Sequence, residues 1–135
     1  MTRGGPLIAG AAYFAGVFAV AFALGVLRMM VIAPRLGAVL AVLLEAPVVL
    51  GVSWGVCRWC VGRFRVPPTV SARLTMGVFA FAILMAAEGA LGLLAFGRSV
   101  ADQLSAFRTL AGGIGLAAQI GFGIIPLVGA AWRRR

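Results

Sequence analysis

Histidine and lysine are both absent from this chain, and its only acidic residues are Glu45, Glu88 and Asp102. Without histidine there is no Ser-His-Asp set and no bis-histidine haem ligation. Without lysine a glycine-rich phosphate loop lacks its cation. Three dispersed carboxylates form no acidic cluster for Mg²⁺ at a lipid headgroup. Two cysteines with no histidine do not complete a zinc site within one chain. No metal and no cofactor is expected, no residue is assigned a catalytic role, and an enzyme is not the favoured reading.

Apolar sequence fills the space that these absences leave. Of 135 residues 63% are hydrophobic and 11% charged, and the mean hydropathy is +1.11. Soluble domains carry about a quarter charged residues and roughly half apolar ones. The arginines are spaced like fence posts: 24 uncharged residues separate Arg3 from Arg28, and 24 separate Arg108 from Arg133. Arg35 to Arg58 encloses 22 residues interrupted only by Glu45, and Arg73 to Arg98 encloses 24 interrupted only by Glu88. A helix needs about 20 apolar residues to cross the hydrocarbon. The spacing predicts an all-α polytopic membrane protein, a single domain over 1–135, with helices at about 6–30, 36–60, 73–97 and 109–132 in an up-down bundle with short loops. The first of these reads as a retained helix, because its apolar run exceeds the roughly 7–15 residues of a signal core.

A net charge of +9 would suggest nucleic acid in a soluble protein. Here the arginines stand at segment ends, where they suit lipid phosphates, so lipids are the expected partners and nucleic acid is not. Arg3, Arg58, Arg63, Arg65, Arg73 and Arg133 to Arg135 collect on one face, eight in all; Arg28, Arg35, Arg98 and Arg108 collect on the other. Short arginine-rich loops stay cytoplasmic, which places both termini and the loop around Arg63 on the cytoplasmic side of a bacterial inner membrane. Trp54, Trp59, Phe64 and Trp132 gather near the same boundary. Pro67-Pro68 stiffens the basic loop. Ser99 and Asp102 form a capping-box pattern opening a short amphipathic surface helix over about 99–107.

Depth, counted from the cytoplasmic arginines, brings the polar residues to one level. Glu45 lies 13 residues from Arg58, Glu88 lies 15 from Arg73 and Gln119 lies 14 from Arg133. At about 1.5 Å per residue these fall within roughly 3 Å of one another. Gly37, Ala41, Glu45 and Ser53 share one stripe, Gly77, Phe81, Leu84, Glu88 and Gly92 a second, and Gly115, Gln119 and Gly123 a third. Gly51 and Gly55 add a GxxxG. Small residues admit close helix approach in lipid, so these faces are expected to turn toward other helices. With a turn near Pro34, Arg28 lies about 7 Å from Glu45 in depth, within reach of a snorkelling guanidinium. Two pairings remain open: Glu45 with Arg28 and a protonated Glu88 with Gln119, or the reverse. Pro47 removes the hydrogen bond to the Leu43 carbonyl and is a candidate kink beside Glu45.

Cys57 and Cys60, in "CRWC", invite comparison with the quinone-coupled disulfide-forming enzymes. The threading, however, puts them on the reducing side, no second pair follows, and a helix C-terminus disfavours a thiolate. Packing is the favoured role over redox chemistry. The stretch "RMMVIAPRLGAVLAVLLEAPVVLGVSWGVCRWCVGR", Arg28 to Arg63, resembles a group of small bacterial four-helix integral membrane proteins with no activity assigned to them. It covers about a quarter of the chain and implies an inner-membrane location only. The small multidrug transporters share the size and a membrane glutamate, but the glutamates here fall in the second and third helices, and no residue is carried over. The sequence favours an accessory or interaction bundle making helix contacts with further copies or a larger membrane complex. The alternative is a small proton- or cation-coupled transporter using Glu45 and Glu88, with Gln119 and Arg28 beside them.

Overall fold

An apolar run with no internal charge has every reason to close its backbone hydrogen bonds locally, and helices result. The computed structural model describes residues 5–95 and 97–133, the last three by backbone alone. Arg3, Arg134 and Arg135, and the side chains of Trp132 and Arg133, to which the charge and aromatic patterns assign boundary roles, lie outside that description. Helix α1 (Gly5–Leu27) runs through a π-helical turn (Arg28–Ile32) into the short α2 (Ala33–Leu36). Then come α3 (Ala38–Phe64), α4 (Val70–Leu94), the two-turn α5 (Val100–Ala106) and α6 (Leu110–Arg133). All regular structure among the described residues is helical, and four stretches are long and apolar enough to cross a membrane: Gly5–Leu36, Ala38–Phe64, Val70–Leu94 and Leu110–Ala130.

The ends of these helices follow from particular residues. The first turn falls at Gly37 and not near Pro34, because Gly37 takes φ +87°, a left-handed value that favours glycine. Pro34 stays helical, its missing N–H coming just after the π turn has already shifted the hydrogen-bond ladder. α3 ends where Arg65 adopts φ +53° and the Val66 N–H donates back to Val61 O, before Pro67-Pro68 forbids continuation. α4 begins at Val70, earlier than expected, because the Thr69 hydroxyl accepts from the Ala72 N–H. At α5 the Ser99 hydroxyl accepts from Asp102 N–H while the Asp102 carboxylate accepts from Ser99 N–H, the reciprocal cap expected there.

α1 packs against α3 and α4, and α6 packs against the same two. α4 and α6 approach so closely that a Cβ on Gly77 would fall 2.0 Å from Gly123 O. Packing is uneven along the bundle. Ala9, Tyr13, Cys57, Cys60, Met76, Ala80 and Phe122 form a dense core in the half that contains the start of α1 and the α3–α4 loop. The half that contains α2 and α5 is looser and holds cavities of about 130 and 320 Å³, while a smaller one of about 70 Å³ lies beside Cys57 and Arg73 in the first half. Large apolar side chains such as Ile8, Leu44, Val78, Leu94 and Ile124 point outward. Gly51 and Gly55 meet nothing within 4 Å, so this GxxxG faces outward and not toward a neighbouring helix of the chain.

Candidate functional site

At the level where dense packing gives way to open space, four helical stretches each contribute one polar side chain. Residues 14, 18, 21, 25 and 28 recur every three or four positions on α1 and its π turn, which sets Arg28 on the same face as Phe14 and Phe18. Glu45 comes from α3, Glu88 from α4 and Gln119 from α6. These four residues line one cavity of about 130 Å³, walled otherwise by apolar side chains including Phe14, Phe18, Val49 and Leu84.

The polar groups sort into two pairs. Arg28 Nε stands 2.6 Å from Glu45 Oε2. The N–H of that nitrogen is not directed at the oxygen, so the contact is an ion pair without an aligned hydrogen bond. Gln119 Nε2 donates to Glu88 Oε2 at 2.5 Å. Of the two pairings open from the sequence, this is the one with Arg28 on Glu45. Glu45 is well covered, its side chain 17% exposed. Glu88 departs from the buried group expected: it is exposed, because the cavity is open beside it. Gln119 Oε1 is inaccessible and accepts no hydrogen bond among the described residues. An amide oxygen left unsatisfied costs on the order of 1–3 kcal/mol, unless a donor arrives from outside the chain.

A larger space of about 320 Å³ lies between α1, the end of α4 and α5. It shares Phe18, Ala21, Arg28 and Glu88 with the first cavity, so the two are contiguous. α5 roofs this vestibule. Gln103 Nε2 donates to Gly89 O at 3.4 Å, and Gly92 leaves the space that the Gln103 side chain occupies. Val100 and Leu104, the apolar positions of α5, point outward. Glu88 therefore stands at the junction of an open vestibule and a mid-bundle cavity.

Below the cavity the path is shut. Tyr13 and Phe122 stack with ring centroids 4.3 Å apart, both almost wholly inaccessible. The Tyr13 hydroxyl donates to Phe122 O at 2.6 Å. That carbonyl is free because Pro126, four residues on, has no N–H to offer it. Pro126 O in turn accepts from Arg73 Nη1 at 3.0 Å, and Pro67 O accepts from Arg73 Nε at 3.2 Å. The boundary role expected for Arg73 is thus corrected: it is 2% exposed and braces α6. The early start of α4 puts Arg73 in the first turn facing the bundle, and Gly129 gives its guanidinium room. Pro126 and Phe122 carry no polar side chain and do not stand out in so apolar a sequence. A lone tyrosine in an apolar helix, wanting an acceptor, was the available signal.

Pro47 lies on the exposed side of an unbroken α3, not among the cavity walls. Cys57 and Cys60 are free thiols, 3% and 0% exposed, within the dense core beside Tyr13. Among the described residues no group of three or more potential metal ligands occurs. Trp59 meets Phe64 edge-on at 6.5 Å, with Arg63 over the Phe64 ring.

Chemically the cluster holds one guanidinium and two carboxylates. Arg28 and Glu45 both lie within electrostatic reach of Glu88. Arg28 is matched by Glu45, the hydrogen-bond partner of Glu88 is an amide, and two adjacent carboxylates resist carrying two charges. The site therefore has room for one further positive charge, as a proton or as a cation. No family model, curated protein or solved structure matches this chain.

Proposed function

We propose that the chain is an integral protein of a bacterial inner membrane, its four long helices spanning the bilayer in alternating directions, and that it works as a small proton- or cation-coupled transporter. The single observation that carries this reading is the position of Glu88, a carboxylate with no salt bridge among the described residues, between an open vestibule and the mid-bundle cavity. A polar layer serving only to fix packing is expected to be closed and fully satisfied. Here the layer borders open space and leaves an acceptor unmet. Ionisable groups at such depth are by default ion or proton sites. Outward-facing apolar side chains on every long helix support the membrane setting.

The excess of arginine around the α3–α4 loop supports termini on the cytoplasmic side, with the vestibule and α5 opening to the opposite side. The accessory reading retains one specific support, the outward Gly51–Gly55 line on α3, which suits a further helix or a second copy. Reconstitution separates the two. Vesicles with an entrapped pH dye and an imposed pH gradient are challenged with monovalent cations, small amines, amino acids and carboxylates. Transport predicts gradient dissipation by at least one class, with Glu88→Gln at the empty-vesicle level. Wild-type protein that matches empty vesicles across the panel, while Glu88→Gln releases a co-purifying partner, establishes the accessory role instead.

A further inference from the structure

The mid-bundle cavity has the size of one ring. About 130 Å³ is close to the engineered apolar cavity of roughly 150 Å³ that takes up benzene. Its long wall is aromatic: Phe14 and Phe18 stack at 5.0 Å, and Phe22 continues the row at 6.1 Å toward the vestibule. The same cavity is lined by the Glu88 carboxylate, one oxygen of which accepts from Gln119 Nε2, and by Arg28, whose charge Glu45 already matches although its Nε–H has no aligned acceptor. Glu88 is the exposed acceptor of the set and carries the negative charge left over. An occupant that suits it brings a hydrogen-bond donor, an apolar body about one ring in size, and a positive charge.

We propose that this cavity binds a hydrophobic organic amine, its ammonium held by the exposed Glu88 carboxylate and its apolar body against Phe14 and Phe18. An ammonium carries three donors and the charge that the carboxylate lacks. Aromatic faces attract cations as well as apolar carbon, so the row from Phe22 to Phe14 suits the whole molecule on its way in. An anionic occupant fits less well. Arg28 is engaged by Glu45, and an anion there would face both carboxylates. Monovalent metal ions lack the body that the cavity accommodates. The inference rests on the transport reading for the fate of the amine but not for its binding.

Binding of 2-phenylethylammonium to the full chain in lipid nanodiscs, measured calorimetrically against empty discs, tests it. Phenylacetate and 2-phenylethanol are the anionic and neutral counterparts. The expected result is saturable binding of the amine alone, weakened about tenfold or more in Glu88→Gln, since hydrogen bonds to charged groups are worth that much. Phe18→Leu, which keeps an apolar wall without the ring, weakens it about threefold or more. Circular dichroism and monodisperse elution confirm that both variants are folded. Equal binding of phenylacetate overturns the proposal in favour of Arg28 as the anchor. Equal binding of 2-phenylethanol reduces the site to an apolar void, and absence of saturable binding removes it. Amine binding without gradient dissipation sustains the site and defeats the transport reading. Dissipation by other solutes without amine binding does the opposite.

Discussion

Arg28, Glu45, Glu88 and Gln119 illustrate how far single residues can be read from sequence. In a chain so apolar each stands out, and counting from the arginine fences brings three of them to one depth. Their partition into pairs needed coordinates, because depth does not fix which way a side chain turns. Breaking a buried ion pair from one side leaves an uncompensated charge, whereas removing both ends does not. Glu45→Gln alone is therefore expected to destabilise the protein more than Glu45→Gln with Arg28→Met, by about 1–3 kcal/mol, in reversible denaturation in mixed micelles. Equal stability of the single and double variants would show that the 2.6 Å contact contributes nothing. Tyr13 offers a cleaner case. Tyr13→Phe keeps the stack on Phe122 but orphans the carbonyl that Pro126 has freed, and a loss of about 1–3 kcal/mol is expected in the same assay. Pro126→Ala in the Tyr13→Phe background returns an N–H to that carbonyl and should recover part of the loss.

At the scale of elements, hydropathy located four long helices because apolar runs fenced by arginine have few other solutions in lipid. Their ends were less legible. Thr69 as a cap and Gly37 as the turn depend on local φ and hydrogen bonding, which a hydropathy count does not register. Glycine spacing was informative in part: Gly77 and Gly123 do meet across α4 and α6, while Gly51 and Gly55, with the same spacing, face outward. Space, not spacing, separates the two sets. Gly77→Ala should cost about 1–3 kcal/mol through the clash with Gly123 O, whereas Gly51→Ala should be neutral within about 0.5 kcal/mol. Dense packing on one side of Glu88 and larger open space on the other was invisible in the sequence, because it depends on how side chains of different helices interlock.

In the whole molecule an open vestibule under α5 leads to a polar level around Glu88, beneath which Tyr13 on Phe122 forms a closed floor. Threading with cytoplasmic termini assigns the vestibule to the opposite face, which thiol labelling in intact cells checks. Ser105→Cys on the exposed side of α5 should react with a membrane-impermeant maleimide added outside, and Cys57 and Cys60, buried in the core, should stay silent until the protein is denatured. Reaction at position 105 only after cell lysis would reverse the threading.

The central claim is that Glu88 takes a proton or a cation in turn while Glu45 stays paired to Arg28. Infrared difference spectroscopy of the reconstituted protein reads protonated carboxyl groups directly by their C=O stretch. The account predicts one such band that grows on acidification, is bleached by 2-phenylethylammonium or another coupled cation, survives Glu45→Gln and vanishes in Glu88→Gln. A band that persists in Glu88→Gln, or no titrating carboxyl at all, would contradict it.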